Sequence, residues 1–408
     1  MKCRHCHRDL SLQLVDLGSA PPSNAYLTAA ALTAPEKWYP LRVLVCDGCW
    51  LAQTEDFADA HELFAADYAY FSSFSASWLD HSRRYVDAMI ERFALEAKSH
   101  VVEVAANDGY LLQYVKARGI PCLGIEPTAS TAAAARAKGI PIVEEFFGRD
   151  LAARLAAEGK SADLMIANNV LAHVPDINSF VAGFTKLLKP QGVATFEFPS
   201  LVRLIEGCQF DTIYHEHFSY LSLNSAERVL EANGLRLFDV EELPTHGGSL
   251  RLFAERADTG SHEATARLAA LRDRERSAGV ESAAFYAGFQ SRTDAVKDGF
   301  LGFLLDAKRD GIAVAGYGAA AKGNTLLNYA GVRPDLIRFV VDRNPAKQDR
   351  FLPGSRIPVV AEDELRKHRP GYIVIFPWNL RDELIAQLGY ARDWGARFVT
   401  AVPTLEVR

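Results

Sequence analysis

The chain has 408 residues, 49% of them apolar, which is more than one ordinary core requires and points to two or three domains. Its 45 basic and 51 acidic residues give a formal charge of −6 with no Lys/Arg block, which argues against a general nucleic-acid surface. No stretch approaches the ~18–20 apolar residues of a membrane span, and the chain reaches Cys3 without an apolar signal core, so neither membrane nor nucleic acid is expected as a partner and the expected location is cytoplasmic.

In that reducing compartment the six cysteines read as thiols or metal ligands. Cys3, Cys6, Cys46 and Cys49 form two C-x2-C pairs separated by 39 residues. Four thiolates close a tetrahedral shell, so a structural Zn2+ is expected, with His5 or His7 as alternative ligands. Cys122 and Cys208 stand alone and read as buried thiols. Residues 1–67 are too few to hold together well by apolar burial, so the metal is expected to supply folding energy there.

Residues 68–256 read as a second domain in which β-branched runs alternate with Ala/Leu-rich helical stretches, the pattern of an α/β sheet covered on both faces. A first strand, 101–105, carries Glu103 and enters the turn Ala105-Ala106-Asn107-Asp108-Gly109-Tyr110, followed by a helix over 111–118. The next strand, 122–125, ends in Glu126, where an acid accepts hydrogen bonds from two ribose hydroxyls. Further strands are expected at 163–167 and 192–198, then a hairpin of 235–240 and 249–254 around Thr245-His246-Gly247-Gly248. An antiparallel hairpin closing a parallel sheet is the arrangement of class I S-adenosylmethionine (SAM) methyltransferases. The turn departs from the usual E/D-x-G-x-G-x-G form, with Ala105 and Asn107 where glycines are common.

Asn168 and His173 follow the fourth strand at its carboxyl end, the edge where ligands of open α/β sheets collect. Between the fifth strand and a helix starting near Ser225 lies Tyr214-His215-Glu216-His217-Phe218-Ser219-Tyr220. This composition suits enolate chemistry: a neutral His removes a proton beside a ketone, Glu216 fixes the tautomer of a neighbouring His, and a Tyr hydroxyl donates to the oxyanion. After a polar helical stretch over 262–309, a third domain (257–408) begins a second strand-turn-helix at 312–316, with the fingerprint Gly316-x-Gly318-x-x-Ala321 and with Asp342 ending the following strand. An NAD-dependent oxidoreductase is therefore a competing reading. Lys322, Gly323 and Asn324 equally suit the pyrophosphate of a nucleotide-sugar at a helix N-terminus. A zinc-stapled, non-catalytic nucleotide-binding scaffold is a third reading.

With these residues in place the chain resembles the sugar C-methyltransferases that act on nucleotide-linked 4-keto-deoxysugars. The resemblance covers essentially the whole chain: the paired cysteines, Asp67-Tyr68-Ala69-Tyr70-Phe71-Ser72-Ser73, the segment 102–110, Tyr214 to Ser219, and Gly316 to Asn324. It implies a SAM-methyltransferase core of Rossmann-like α/β type, flanked by an N-terminal zinc module and a C-terminal Rossmann-like domain. It implies methylation at carbon 3 of a dTDP-linked sugar by an enzyme that is a monomer or weak oligomer. Tyr68, His173, Tyr214, Glu216 and His217 would surround the sugar and the methyl group, with His217 the leading base and Tyr214 its competitor. SAM would contact Glu103, Ala105, Asn107, Asp108, Gly109, Tyr110, Glu126 and Asn168. The nucleotide-sugar would contact Tyr70, Ser72, Ser73, His246, Arg251, Tyr317, Lys322 and Asn324, with Gly247, Ser249 and Phe376-Pro377-Trp378-Asn379 as outer candidates.

Overall fold

A computed structural model describes residues 1–57 and 71–408, which form three sheets. In the first, β1 (Leu12–Ala20), β2 (Tyr39–Val45) and β3 (Ala52–Thr54) pair antiparallel, and the fourth strand, β9 (Ser219–Tyr220), arrives from far along the chain. Leu41, Val43 and Val45 alternate inward along β2, as a strand with one buried face requires.

The second sheet contains β4 (Val101–Val104), β5 (Cys122–Ile125), β6 (Ile142–Val143), β7 (Ala162–Asn168), β8 (Leu188–Pro199), β10 (Leu235–Leu243) and β11 (Ser249–Arg256). Their order is β10-β11-β8-β7-β4-β5-β6, parallel from β8 to β6 and closed by the antiparallel hairpin β10–β11. Helix Ala76–Phe93 covers one face with Tyr85, Val86 and Met89, and helices Ile177–Leu187 and Leu223–Ala232 cover the other. With both faces covered, β4 and β7 are buried almost throughout, which is why they are mostly apolar, with Glu103 buried inside β4 and Asn168 at the end of β7. The three helices start at side-chain caps: Ser75 accepts from the Trp78 amide, Asp176 from Ser179 and Ser222 from Ser225.

The third sheet runs β14 (Val359–Val360), β13 (Val340–Val341), β12 (Val314–Tyr317), β15 (Tyr372–Ile375), β16 (Arg397–Thr400) and β17 (Glu406–Val407), all parallel but the last. The polar stretch 262–309 is divided between neighbours. Helix Ala266–Ala278 packs Leu268 and Leu271 into the core of the second sheet and sets Arg267 on Asp239, whereas Phe300 and Leu304 of helix Phe289–Arg309 join the third domain. The first sheet, helix Leu201–Glu206 and the third domain share one apolar core, which includes Val15, Val43, Leu204, Phe300 and Val374. The N- and C-terminal parts thus close on each other around the middle of the chain.

Candidate active site

The turn after β4 keeps the backbone that glycines normally supply. Ala105 and Asn107 have φ of 59° and 48°, and Gly109 has 75°. Asn tolerates the left-handed region; Ala there costs about 1 kcal/mol, and Gly109 is required, because an added Cβ would lie 2.4 Å from Ile140 Cδ1. Glu126 ties the turn to β5, accepting from the Asn107 amide at 2.9 Å and the Thr128 amide at 2.9 Å. Glu103 is fully buried, and burial pushes its carboxyl well above the usual range despite Tyr110 beside it. At the end of β7 both side-chain polar atoms of Asn168 are buried without a partner among the described residues, as is Oδ1 of Asp108. Left-handed turn, acid and unsatisfied amide together fit a nucleoside cofactor at this edge. Ser72 and Ser73 also lie here: the Ser72 amide donates to Asn107 Oδ1 at 2.9 Å and Lys138 Nζ donates to Ser73 Oγ at 2.9 Å. They therefore support the cofactor turn.

From that turn a row of rings leads to the second half of the cleft. Trp78 lies 6.0 Å from Tyr110, 4.8 Å from His81 and 5.3 Å from His246. His246, at φ 54° in the hairpin turn, lies with Nε2 3.3 Å from Asn169 Nδ2. Burial, helped by the Lys322 charge, takes its imidazole down to about 4. Behind this row Glu197 accepts from Arg251 at 2.6 Å and sits 3.0 Å from His81 Nε2. Burial alone would raise Glu197, but His81 and Arg251 hold it below the usual carboxylate range. Arg251 also donates to Glu241 and covers the Tyr85 ring, so it braces the hairpin from inside the sheet instead of facing the cleft.

The Tyr214–Tyr220 segment sends consecutive side chains to different neighbours. His215 Nε2 lies 3.1 Å from the Pro40 carbonyl, Glu216 accepts from Asn24 Nδ2 at 2.6 Å, and His217 Nδ1 donates to the Thr212 carbonyl at 2.8 Å. The tautomer of His217 is thus set by a backbone carbonyl and not by Glu216, contrary to expectation; what residue 216 fixes, through its own carbonyl, is His173 Nδ1 at 2.8 Å. The His217 ring is 4.0 Å from Tyr214 and 4.6 Å from His173. Burial, then the neighbouring His173 charge, pushes its pKa well below 6.5; burial takes His173 to about 4. Both rings are therefore neutral at pH 7, and Nε2 of His217 carries the lone pair. Tyr68 and Tyr70 lie outside the described residues.

The third domain closes the cleft with Lys322, whose Nζ donates to Asn379 Oδ1 at 2.8 Å and lies 4.5 Å from the Trp378 ring centroid. Trp378 Nε1 donates to Asp211 Oδ2 at 2.7 Å, and burial raises Asp211 to about 6 although Lys322 opposes it. Tyr317 and Asn324 have hydrogen-bond partners away from Lys322. Tyr317 is packed in the third domain's own core with its hydroxyl on Glu362, and Asn324 Nδ2 donates to the Ser23 carbonyl at 2.6 Å. The Gly316–Ala321 turn is likewise built over, by Tyr26 from the N-terminal part and by Lys347 from the same domain, both donating to the Ala319 carbonyl. Asn169, Asp211 and Trp78 escape sequence reasoning. Asn169 had a signal in its neighbour Asn168; the others are brought in from segments without a motif.

The four cysteine sulfurs lie within 4.8 Å of one another. A tetrahedral zinc with Zn–S bonds of ~2.3 Å sets sulfurs about 3.8 Å apart, near the 3.5 Å of Cys3–Cys49 and the 3.4 Å of Cys6–Cys46, so the cluster fits the ion with small adjustment. His5 instead places Nδ1 2.8 Å from Asn178 Oδ1, so the ligand set is the four cysteines.

A positive-φ turn after β4, an acid after β5 and a parallel sheet closed by an antiparallel hairpin are features of a SAM-dependent methyltransferase. Family models match the chain in succession: a putative zinc binding domain over residues 3–64, a methyltransferase domain over 78–240 and a C-methyltransferase C-terminal domain over 244–403. The chain is 35% identical over 402 residues to the C-methyltransferase NovU of Streptomyces niveus, covering 98% of this chain and 95% of that one. It is also similar, at 25% over 149 residues (31% of this chain, 59% of the relative), to a ubiquinone biosynthesis O-methyltransferase of Rhodopseudomonas palustris. Among solved structures, the PH0226 protein of Pyrococcus horikoshii OT3 has a TM-score of 0.39 at 14% identity, covering 46% of this chain and 95% of that one. Magnesium protoporphyrin IX methyltransferase of Synechocystis PCC 6803 with bound SAM has 0.36 at 14%, covering 50% and 100%. These two scores are too low to bear on function. The chain belongs to the C-methyltransferase family that includes NovU.

Proposed function

We propose that the protein methylates carbon 3 of a dTDP-linked 4-keto-deoxysugar through an enolate, with His217 as the base. The observation that carries this reading is the state of His217: a neutral ring in a buried cleft, its Nδ1–H held by the Thr212 carbonyl, its Nε2 lone pair left unprotonated beside Tyr214 and His173. A proton beside a ketone is acidic enough for such a base when the oxyanion is hydrogen-bonded, and we assign that bond to the Tyr214 hydroxyl. SAM, held at Glu103, the 105–110 turn, Glu126 and Asn168, supplies an activated methyl group. The chain's own work is to bring carbon and methyl into near-attack geometry and to keep water out. Lys322, between Asn379 and Trp378, is the cation we assign to the diphosphate. In this reading residues 1–67, 68–256 and 257–408 are the zinc, SAM and nucleotide-sugar domains of a cytoplasmic monomer or weak oligomer. Among the described residues no helix is long and apolar enough to cross a membrane.

The test is proton exchange. The enzyme is incubated with a dTDP-4-keto-deoxysugar and S-adenosylhomocysteine in deuterated water, and deuterium at carbon 3 is followed by NMR. Exchange in the wild type and its loss in His217→Asn is the expected result. Asn can still donate to the Thr212 carbonyl but offers no basic nitrogen, so turnover should fall by about 10²–10⁴-fold with S-adenosylhomocysteine affinity unchanged. Wild-type turnover in this variant would remove His217 from the mechanism.

A further inference from the structure

Two residues join the zinc knuckles to the segment that carries His217. Strand β3 pairs antiparallel with β9, Ala52 opposite Tyr220 and Gln53 opposite Ser219. Thr54 extends the pairing: its amide donates to the Phe218 carbonyl at 3.2 Å and its hydroxyl donates to the His217 carbonyl at 3.0 Å. Gln53, with no exposed surface, turns the other way, donating through Nε2 to Cys3 Sγ at 3.3 Å and accepting from the Arg4 amide at 2.9 Å.

Arg4, between the first two cysteines, completes the connection. Its guanidinium donates to the carbonyls of Thr54 at 2.8 Å and Pro175 at 3.2 Å and covers the Phe218 ring at 5.3 Å. The Phe218 amide in turn donates to the Ala172 carbonyl at 2.8 Å. Both segments bearing the cleft histidines, 171–175 and 214–220, are therefore hung on the first knuckle. A hydrogen bond to a thiolate is stronger than one to a thiol, and a metal fixes where that thiolate stands.

We propose that Gln53 and Thr54 are positioning residues for the His217 segment, acting as the link by which zinc occupancy at Cys3, Cys6, Cys46 and Cys49 sets the placement of the base. The link rests on the reading of His217 as the base for its catalytic consequence, but not for the mechanical coupling itself.

The test is hydrogen–deuterium exchange by mass spectrometry on the full chain, zinc-loaded and after chelation, for the wild type, Thr54→Val and Thr54→Ser. Chelation is expected to raise uptake about tenfold in peptides spanning 213–221 while those spanning 101–126 keep their protection. Thr54→Val, with all four cysteines and its zinc content unchanged, is expected to raise uptake in 213–221 several-fold. It should lower kcat about tenfold at unchanged S-adenosylhomocysteine affinity, with Thr54→Ser restoring both. Unchanged protection of 213–221 in zinc-free protein that has lost protection over 1–54 would overturn the proposal. If chelation unfolds the whole chain, Thr54→Val decides: wild-type uptake and kcat in that variant overturn the link. Full turnover in His217→Asn would remove the base assignment while leaving the exchange result standing.

Discussion

His217 and Asn168 differ in what the fold has already given them. His217 has one nitrogen committed to Thr212 and a second left unprotonated, whereas both polar atoms of Asn168 are buried without a partner among the described residues. An unsatisfied buried amide costs about 1–3 kcal/mol, a cost that a bound ligand repays by hydrogen bonding. Asn168→Ala should therefore weaken S-adenosylhomocysteine about tenfold, near 1.4 kcal/mol, while the melting temperature of the free protein holds or rises slightly. Calorimetric titration and thermal unfolding check the two halves. Residue identity made both positions legible in the sequence, since a His in a Tyr/His-rich segment and an Asn at a strand's carboxyl end are unusual placements. Direction was not legible. Whether Glu216, Arg251, Tyr317 or Asn324 faces the cleft depends on packing by Asn24, Glu197, Glu362 and Ser23, none of which is near in sequence.

At the scale of elements, the hairpin between β10 and β11 carries the tightest constraint. Gly247 has φ of 92°, and an added Cβ would lie 2.5 Å from Trp378 and 2.8 Å from Gln209. Gly247→Ala should therefore push Trp378 off Asp211 and shift His246 from Asn169. The expected cost is on the order of 1–3 kcal/mol in stability, with a larger loss in kcat/KM for the sugar than in affinity for the cofactor. Thermal unfolding and steady-state kinetics with each substrate varied separate these. The hairpin itself was legible from its two apolar runs and the Gly-Gly turn between them. The docking of Trp378 against it was not, because that contact joins segments more than a hundred residues apart whose only shared property is shape.

For the whole molecule, three imidazoles held neutral in one cleft make acid the vulnerable side. His173 and His246 are lowered to about 4 and His217 also lies well below 6.5, burial being the main cause in each. A depressed histidine pKa contributes stability that is present above 6.5 and is lost as the pH falls toward the folded value. At 1.36 kcal/mol per unit, His173 alone contributes on the order of 2–3 kcal/mol after allowance for partial exposure. The melting temperature should accordingly fall between pH 6.5 and 4, and His173→Gln should flatten that slope. The same depression moves the acid limb of the kcat profile below pH 6.5, since His217 stays in its basic form to lower pH. A melting temperature flat across that window would mean that the cleft admits enough water to charge these rings without penalty.

The pairing of β3 with β9 has a consequence for how such enzymes can be recombined. Two residues of the SAM-binding region are edge strand to the zinc module, and the first sheet shares its apolar core with the third domain. A chimera that exchanges the N-terminal module between relatives, leaving residues 213–221 behind, joins two surfaces shaped by different histories. The unit that can be inherited or transplanted whole is therefore discontinuous in the gene: the cysteine knuckles together with the loop they hold.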